Sequence, residues 1–222
     1  MIKICEILAF ILSVTAFGYG AFMLFRKGMP KYFQLYVCAS GCYMLEELWV
    51  IVNSLFGNGS QDGLLTVRIL GFFGCLCFML SANANEFDKV VDEGKNKKAK
   101  AIALTAPALL LVLFAFYAFS PANTLSPAIN VIELLSISPG LFAAYFSLKH
   151  LFLPTDKIGY LKLTRSIDIA ALVFFGTNYV YPLADLYIPK TVMSLYDLIL
   201  AVILFVIIAA CRRGAVKWKA LI

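Results

Sequence analysis

Glu6, Glu46, Glu47, Glu133, Asp185, Asp197 and Arg68 lie inside, or at the ends of, long apolar stretches of the chain. Ionisable side chains at membrane depth are costly, so each is a candidate functional group. Their types suggest ion pairing and cation or proton binding. An Arg in apolar surroundings needs a carboxylate, and the short hairpin after Glu46 and Glu47 brings one of them toward Arg68. The other acid is left to be protonated, hydrated or bound to something cationic. These residues predict a pocket for a small polar or cationic ligand formed by Glu46, Glu47, Trp49, Arg68, Glu133 and Asn178, with Asp168, Asp185 and Asp197 along an ion path. Trp49 with Tyr179, Tyr181, Tyr187 and Tyr196 could wall a cation, although interfacial anchoring is the expected role for most of them.

Enzymatic chemistry lacks parts. The adjacent Glu46 and Glu47 resemble the paired glutamates of the CAAX-protease and bacteriocin-processing family, but Val50 and Ile51 stand where that pattern requires an Arg. The sole histidine, His150, falls at the basic end of a later apolar stretch and reads as part of its flank. With one histidine, His-based metal centres and Ser-His triads cannot be assembled. Cys38 and Cys42 are one helical turn apart, and Cys75 and Cys77 follow at similar depth but diverge on a helix, so they read as packing residues. The chain is therefore expected to be no enzyme and to hold neither cofactor nor metal.

The elements that position these groups follow from composition and charge. At 62% hydrophobic and 14% charged residues, the chain departs from soluble domains, in which about a quarter of residues are charged. It reads as an all-α integral membrane protein. Residues 1–222 form one domain of seven spans, Ile4 to Phe25, Tyr32 to Leu55, Leu64 to Asn85, Ala101 to Phe119, Ala128 to Leu148, Tyr160 to Ala184 and Val192 to Cys211. Segments rich and poor in Lys and Arg alternate between the spans, and of the 19 basic residues only Lys3, Arg68 and Lys190 lie outside the rich ones. Cytoplasmic loops carry that excess, so the N-terminus is expected outside and the C-terminus inside, in a bacterial cytoplasmic membrane. The net charge of +6 is then explained by topology and anionic lipid, and no nucleic-acid partner is expected.

Helical spacing sorts the polar residues onto single faces. Glu6, Ala9, Ser13, Phe17 and Gly20 share a face of the first span; Ala39, Cys42, Glu46, Trp49 and Asn53 one of the second; Arg68, Gly71, Cys75, Met79 and Ala82 one of the third. Glu133, Ser136, Gly140 and Ala144 line the fifth, Asp168, Ala171, Phe175, Asn178, Pro182 and Asp185 the sixth, and Ser194, Asp197 and Ala201 the seventh. Pro139 and Pro182 can kink their helices beside a cavity. Three spans, a linking span and three more is the layout of a parallel repeat, although the halves share no sequence similarity. The architecture is similar to that of rhodopsins and of seven-helix sensor regions of histidine kinases, but no span core holds a lysine for a retinal Schiff base. SWEET-like carriers share orientation and length, but their Pro-Gln dipeptides are absent. The expected function is a receptor- or sensor-like binder of a small polar or cationic ligand, signalling through its basic loops to a cytoplasmic or membrane protein partner. A small-solute or cation/proton-coupled transporter and an accessory subunit of a membrane complex are the alternatives.

Overall fold

Backbone groups in lipid must be bonded within their own segment, which leaves helices or closed barrels as spanning structures. The computed structural model describes residues 2–25, 29–56, 61–87, 96–153 and 160–219; the side chains of 2–3, 54–56, 61–69, 85–87, 160–164, 190–191, 194 and 215–219 are not described. Among the described residues every regular element is helical: α1 (Ile2–Leu24), α2 (Lys31–Phe56), α3 (Gln61–Ser81), a π-helical segment (Ala82–Phe87), α4 (Lys97–Ala103), α5 (Thr105–Ala118), α6 (Pro127–Phe152), α7 (Tyr160–Asp185) and α8 (Lys190–Lys219). Within these residues, six stretches are long and apolar enough to cross a membrane: Ile4–Leu24, Lys31–Asn53, Lys97–Ala118, Pro127–Phe152, Arg165–Asp185 and Leu195–Gly214. The third expected span is represented by the apolar run Leu70–Ala84, the side chains of 61–69 before it lying outside the described ones. The chain is a multi-pass integral membrane protein. The breakers Gly57, Gly59, Pro154 and Gly159 and most of the loop at 86–100 lie outside the described residues.

Prolines account for two of the irregularities. The expected fourth span is divided into α4 and α5 at Leu104, because Pro107 cannot donate to the carbonyl of Ala103 and its ring crowds that turn. At the same break Thr105 donates its hydroxyl to Ile102 O over 2.7 Å. In α6, Pro139 likewise removes the donor for Leu135 O, and the Ser138 hydroxyl takes its place over 2.8 Å. Tyr179 of α7 donates to Ile137 O over 2.8 Å, so the proline turn is also held from a neighbouring helix. At the start of α6, Ser126 caps the Ile129 amide and Pro127 occupies the first turn.

The helices close a ring in the order α1, α2, α3, α6, α7, α8, with α8 returning to α1 and also touching α2. The pair α4–α5 packs outside this ring, against α6 and, through α5, against α7. The linking span is thus peripheral to two sets of three helices. The ring interior is made of the faces that helical spacing selects: Ala9, Ser13, Cys75, Met79, Ala82, Ala144, Ala171, Phe175 and Ala201 are fully buried. Their opposite faces expose Phe22, Leu70, Leu109, Phe116 and Leu135, which suits contact with lipid tails and not with water. Small residues allow close approach. A Cβ added at Gly71 would lie 3.0 Å from Glu46 Cβ and 3.2 Å from the Cys42 carbonyl oxygen, so α3 can press against α2 at the level of Glu46.

Among the helix ends that differ from the expected boundaries, two change the setting of basic residues. α6 continues past Leu148 to Phe152, and Lys149 and His150 are buried instead of forming a solvated basic flank. α8 continues through the basic segment to Lys219, where Arg212 lies over the Tyr19 ring, 5.3 Å from its centroid, and donates to its hydroxyl.

Candidate functional site

A cavity of about 400 Å³ opens among α2, α3, α5, α6, α7, α8 and the turn at 122–125. Four of its lining residues are acids from four helices, Glu46 of α2, Glu133 of α6, Asp185 of α7 and Asp197 of α8, and Asn178 joins them. Spacing explains how each helix reaches it. Tyr43 and Glu46 are one turn apart on α2, Glu133 and Ser136 on α6, and Asp197 and Leu200 on α8, while Asn178, Tyr181, Pro182 and Asp185 follow steps of three or four on α7. In every case these residues occupy the part of the helix away from its basic end, marked by Lys31, Lys149, Arg165 and Arg212.

Hydrogen bonds hold the walls. Tyr117 of α5 donates to Glu133 Oε2 over 2.8 Å. Tyr43 donates to the Asp197 carbonyl oxygen over 3.4 Å, joining α2 to α8 across the ring. The Asn178 amide donates to Phe174 O over 2.7 Å, and Pro182 leaves the Asn178 carbonyl without its usual helical donor. The turn above the cavity is tied down by Asn123, which donates to Asn130 Oδ1 over 3.1 Å and to Tyr117 O over 3.4 Å, and by the Ser120 and Tyr187 hydroxyls, 2.6 Å apart. Phe72, Phe114, Tyr117 and Tyr181 supply aromatic surface, and Tyr196 packs edge-on against Tyr181 with centroids 5.9 Å apart.

Family models, curated proteins and solved structures hold no match to this chain.

The residues singled out from the sequence fall into separate places. Glu46, Glu133, Asn178, Asp185 and Asp197 come together on the cavity. Glu47 is 3% exposed, but it is not among the cavity-lining residues. Trp49 is 36% exposed and also lies off the cavity. The Arg68 side chain lies outside the described ones. Asp168 is near the opposite end of the bundle, where its Oδ1 is 3.3 Å from Nδ1 of His150. Among the described residues no three His, Cys, Asp or Glu side chains are grouped to hold a metal.

Tyr43, Phe72, Phe114 and Tyr117 are cavity residues that sequence reasoning missed. Tyr43 carried a usable signal, since it lies three residues before Glu46 and so shares its face. Phe114 and Tyr117 carried none, because α5 is apolar all round and which of its faces meets α6 is a tertiary fact.

Proposed function

We propose that this chain is a receptor- or sensor-like protein of a bacterial cytoplasmic membrane, with seven spans, its N-terminus outside and its C-terminus inside. It takes a small polar or cationic ligand from the outer side and signals to a protein partner through its basic cytoplasmic segments. The observation that carries this reading is the convergence of Glu46, Glu133, Asp185 and Asp197 on one cavity at the end away from the basic segments. Carboxylates sharing so small a space with apolar walls repel one another, and a bound cation or protons relieve that repulsion. The aromatic rings favour a cation further through their electron-rich faces.

Tetraethylammonium is a suitable first probe because it combines charge with apolar bulk. The protein in lipid nanodiscs is expected to bind it saturably, with affinity at least about tenfold weaker in Glu46→Gln or Asp197→Asn, equivalent to about 1.4 kcal/mol. Equal affinity in wild type and both variants, with the fold intact, would overturn the assignment.

A transporter is the second reading, and a specific arrangement favours it. The outer cavity and the His150–Asp168 pair lie in series within one ring, separated along the helices by the fully buried Cys75, Phe174, Phe175, Ala201 and Leu204. Flux of the labelled probe into proteoliposomes selects this reading, whereas binding without flux selects the receptor.

A further inference from the structure

The apolar span of α8 ends at Gly214, so Arg212 and Arg213 stand in its last turn, at the depth of lipid headgroups. They project about 100° apart and reach different surroundings. Arg212 turns toward α1, where its guanidinium lies 5.3 Å from the Tyr19 ring centroid and donates to the Tyr19 hydroxyl. Tyr19 in turn packs on Phe205 of α8, with centroids 6.3 Å apart. Arg213 is exposed, and Ala209, Val206, Val202 and Ile199 precede it in steps of three or four, so it ends the lipid-facing stripe of α8. Tyr32 of α2 holds the same turn by donating to Cys211 O over 3.4 Å. On α1, Thr15 and Phe22 share the side of Tyr19 and are exposed, and the Thr15 hydroxyl donates to Ile11 O over 2.7 Å, which leaves its methyl group outward. The lipid-facing seam between α1 and α8 is therefore apolar along its length and cationic at one end.

We propose that Arg212 and Arg213 bind the headgroup phosphate of an anionic phospholipid whose acyl chain lies along the α1–α8 seam. Among the described residues, neither arginine forms an ion pair with a carboxylate. Two adjacent guanidinium groups at the edge of a low-dielectric region repel each other, and a phosphate shared between them removes that repulsion. Each guanidinium carries five N–H donors in a planar fork that matches phosphate oxygens, and the bond to Tyr19 occupies one of those of Arg212. Stacking on Tyr19 also holds Arg212 in place, so less side-chain freedom is lost when the phosphate arrives. Below the headgroup, Phe22 of α1 and Val206 and Val202 of α8 are exposed apolar surface at the depth of the acyl chain. A zwitterionic headgroup brings an ammonium group that the arginines repel, so the site selects a lipid with net negative charge.

Native mass spectrometry of the full chain, released from detergent micelles carrying one added lipid, counts bound lipid directly. Phosphatidylglycerol is expected to bind at least about tenfold more tightly than phosphatidylcholine. Arg212→Gln combined with Arg213→Gln is expected to remove most of that preference. Arg213→Gln alone, at an exposed position, is expected to weaken it at least about threefold and serves if the double variant does not fold. Lys97→Gln combined with Lys98→Gln removes the same charge from exposed positions of α4 and should leave the preference within about twofold. Equal binding of the two lipids, equal losses in the arginine and lysine pairs, or an unchanged preference in folded Arg213→Gln would each overturn the proposal. Full displacement of phosphatidylglycerol by inorganic phosphate at equal concentration would overturn it too, because the acyl chain would then contribute nothing.

Discussion

Tyr117 donates its hydroxyl to Glu133 Oε2 over 2.8 Å, which ties the peripheral helix α5 to α6 at the wall of the acidic cavity. Tyr117→Phe keeps the ring in place and deprives a half-buried carboxyl group of its donor. We expect a loss of about 1–2 kcal/mol in reversible unfolding from mixed micelles. Unchanged stability would show that this bond contributes nothing in the membrane.

The contact of α2 with α3 at Gly71 leaves little room, since the neighbours of an added Cβ are the Glu46 Cβ and a backbone oxygen. Gly71→Val should cost about 1–3 kcal/mol through forced separation of the two helices. Gly176 on α7 has nothing within 4 Å of the equivalent position, so Gly176→Ala should be neutral or stabilising by up to about 1 kcal/mol. Thermal unfolding of the two variants side by side checks both signs.

At the Pro139 turn of α6, Tyr179 holds Ile137 O and Ser138 holds Leu135 O. Tyr179→Phe is expected to cost about 1 kcal/mol. The two residues meet at one turn, so the cost of combining Tyr179→Phe with Pro139→Ala should differ from the sum of the single costs by at least about 0.5 kcal/mol. Strict additivity in a double-mutant cycle would remove the tyrosine from the account of this kink.

Topology has a direct readout. An alkaline phosphatase, whose disulfides form only outside, should be active at the N-terminus and inactive at the C-terminus, and a fluorescent protein that matures only inside should show the reverse. Both termini on the same side would require an even number of spans, and the acidic cavity would then need a new orientation.

Much of the cavity was legible before any tertiary structure, for a simple reason. A helix in a bundle turns its small and polar residues inward, so spacing in steps of three and four already groups Asn178 with Pro182 and Asp185, and Glu133 with Ser136. The same logic misplaced Trp49, which shares its stripe with Glu46 but lies one turn further along, off the cavity. It also assigned His150 to a solvated flank, because Lys149 beside it looks like the end of a span. α6 continues, and both side chains are buried.

Sequence alone is enough to identify an all-helical, multi-pass membrane protein, with Glu46, Glu133, Asp185 and Asp197 away from the basic ends of their helices. Those properties follow from local hydrophobicity, charge and helical period. The tertiary structure alone decided that α5 meets α6 through Tyr117 and Glu133, that Asn83 bridges Tyr36 and Ser147, and that Asp168 meets His150. Such pairs depend on how helices distant in the chain are rotated and staggered against one another, and packing of side-chain shapes sets that arrangement where periodicity leaves it open.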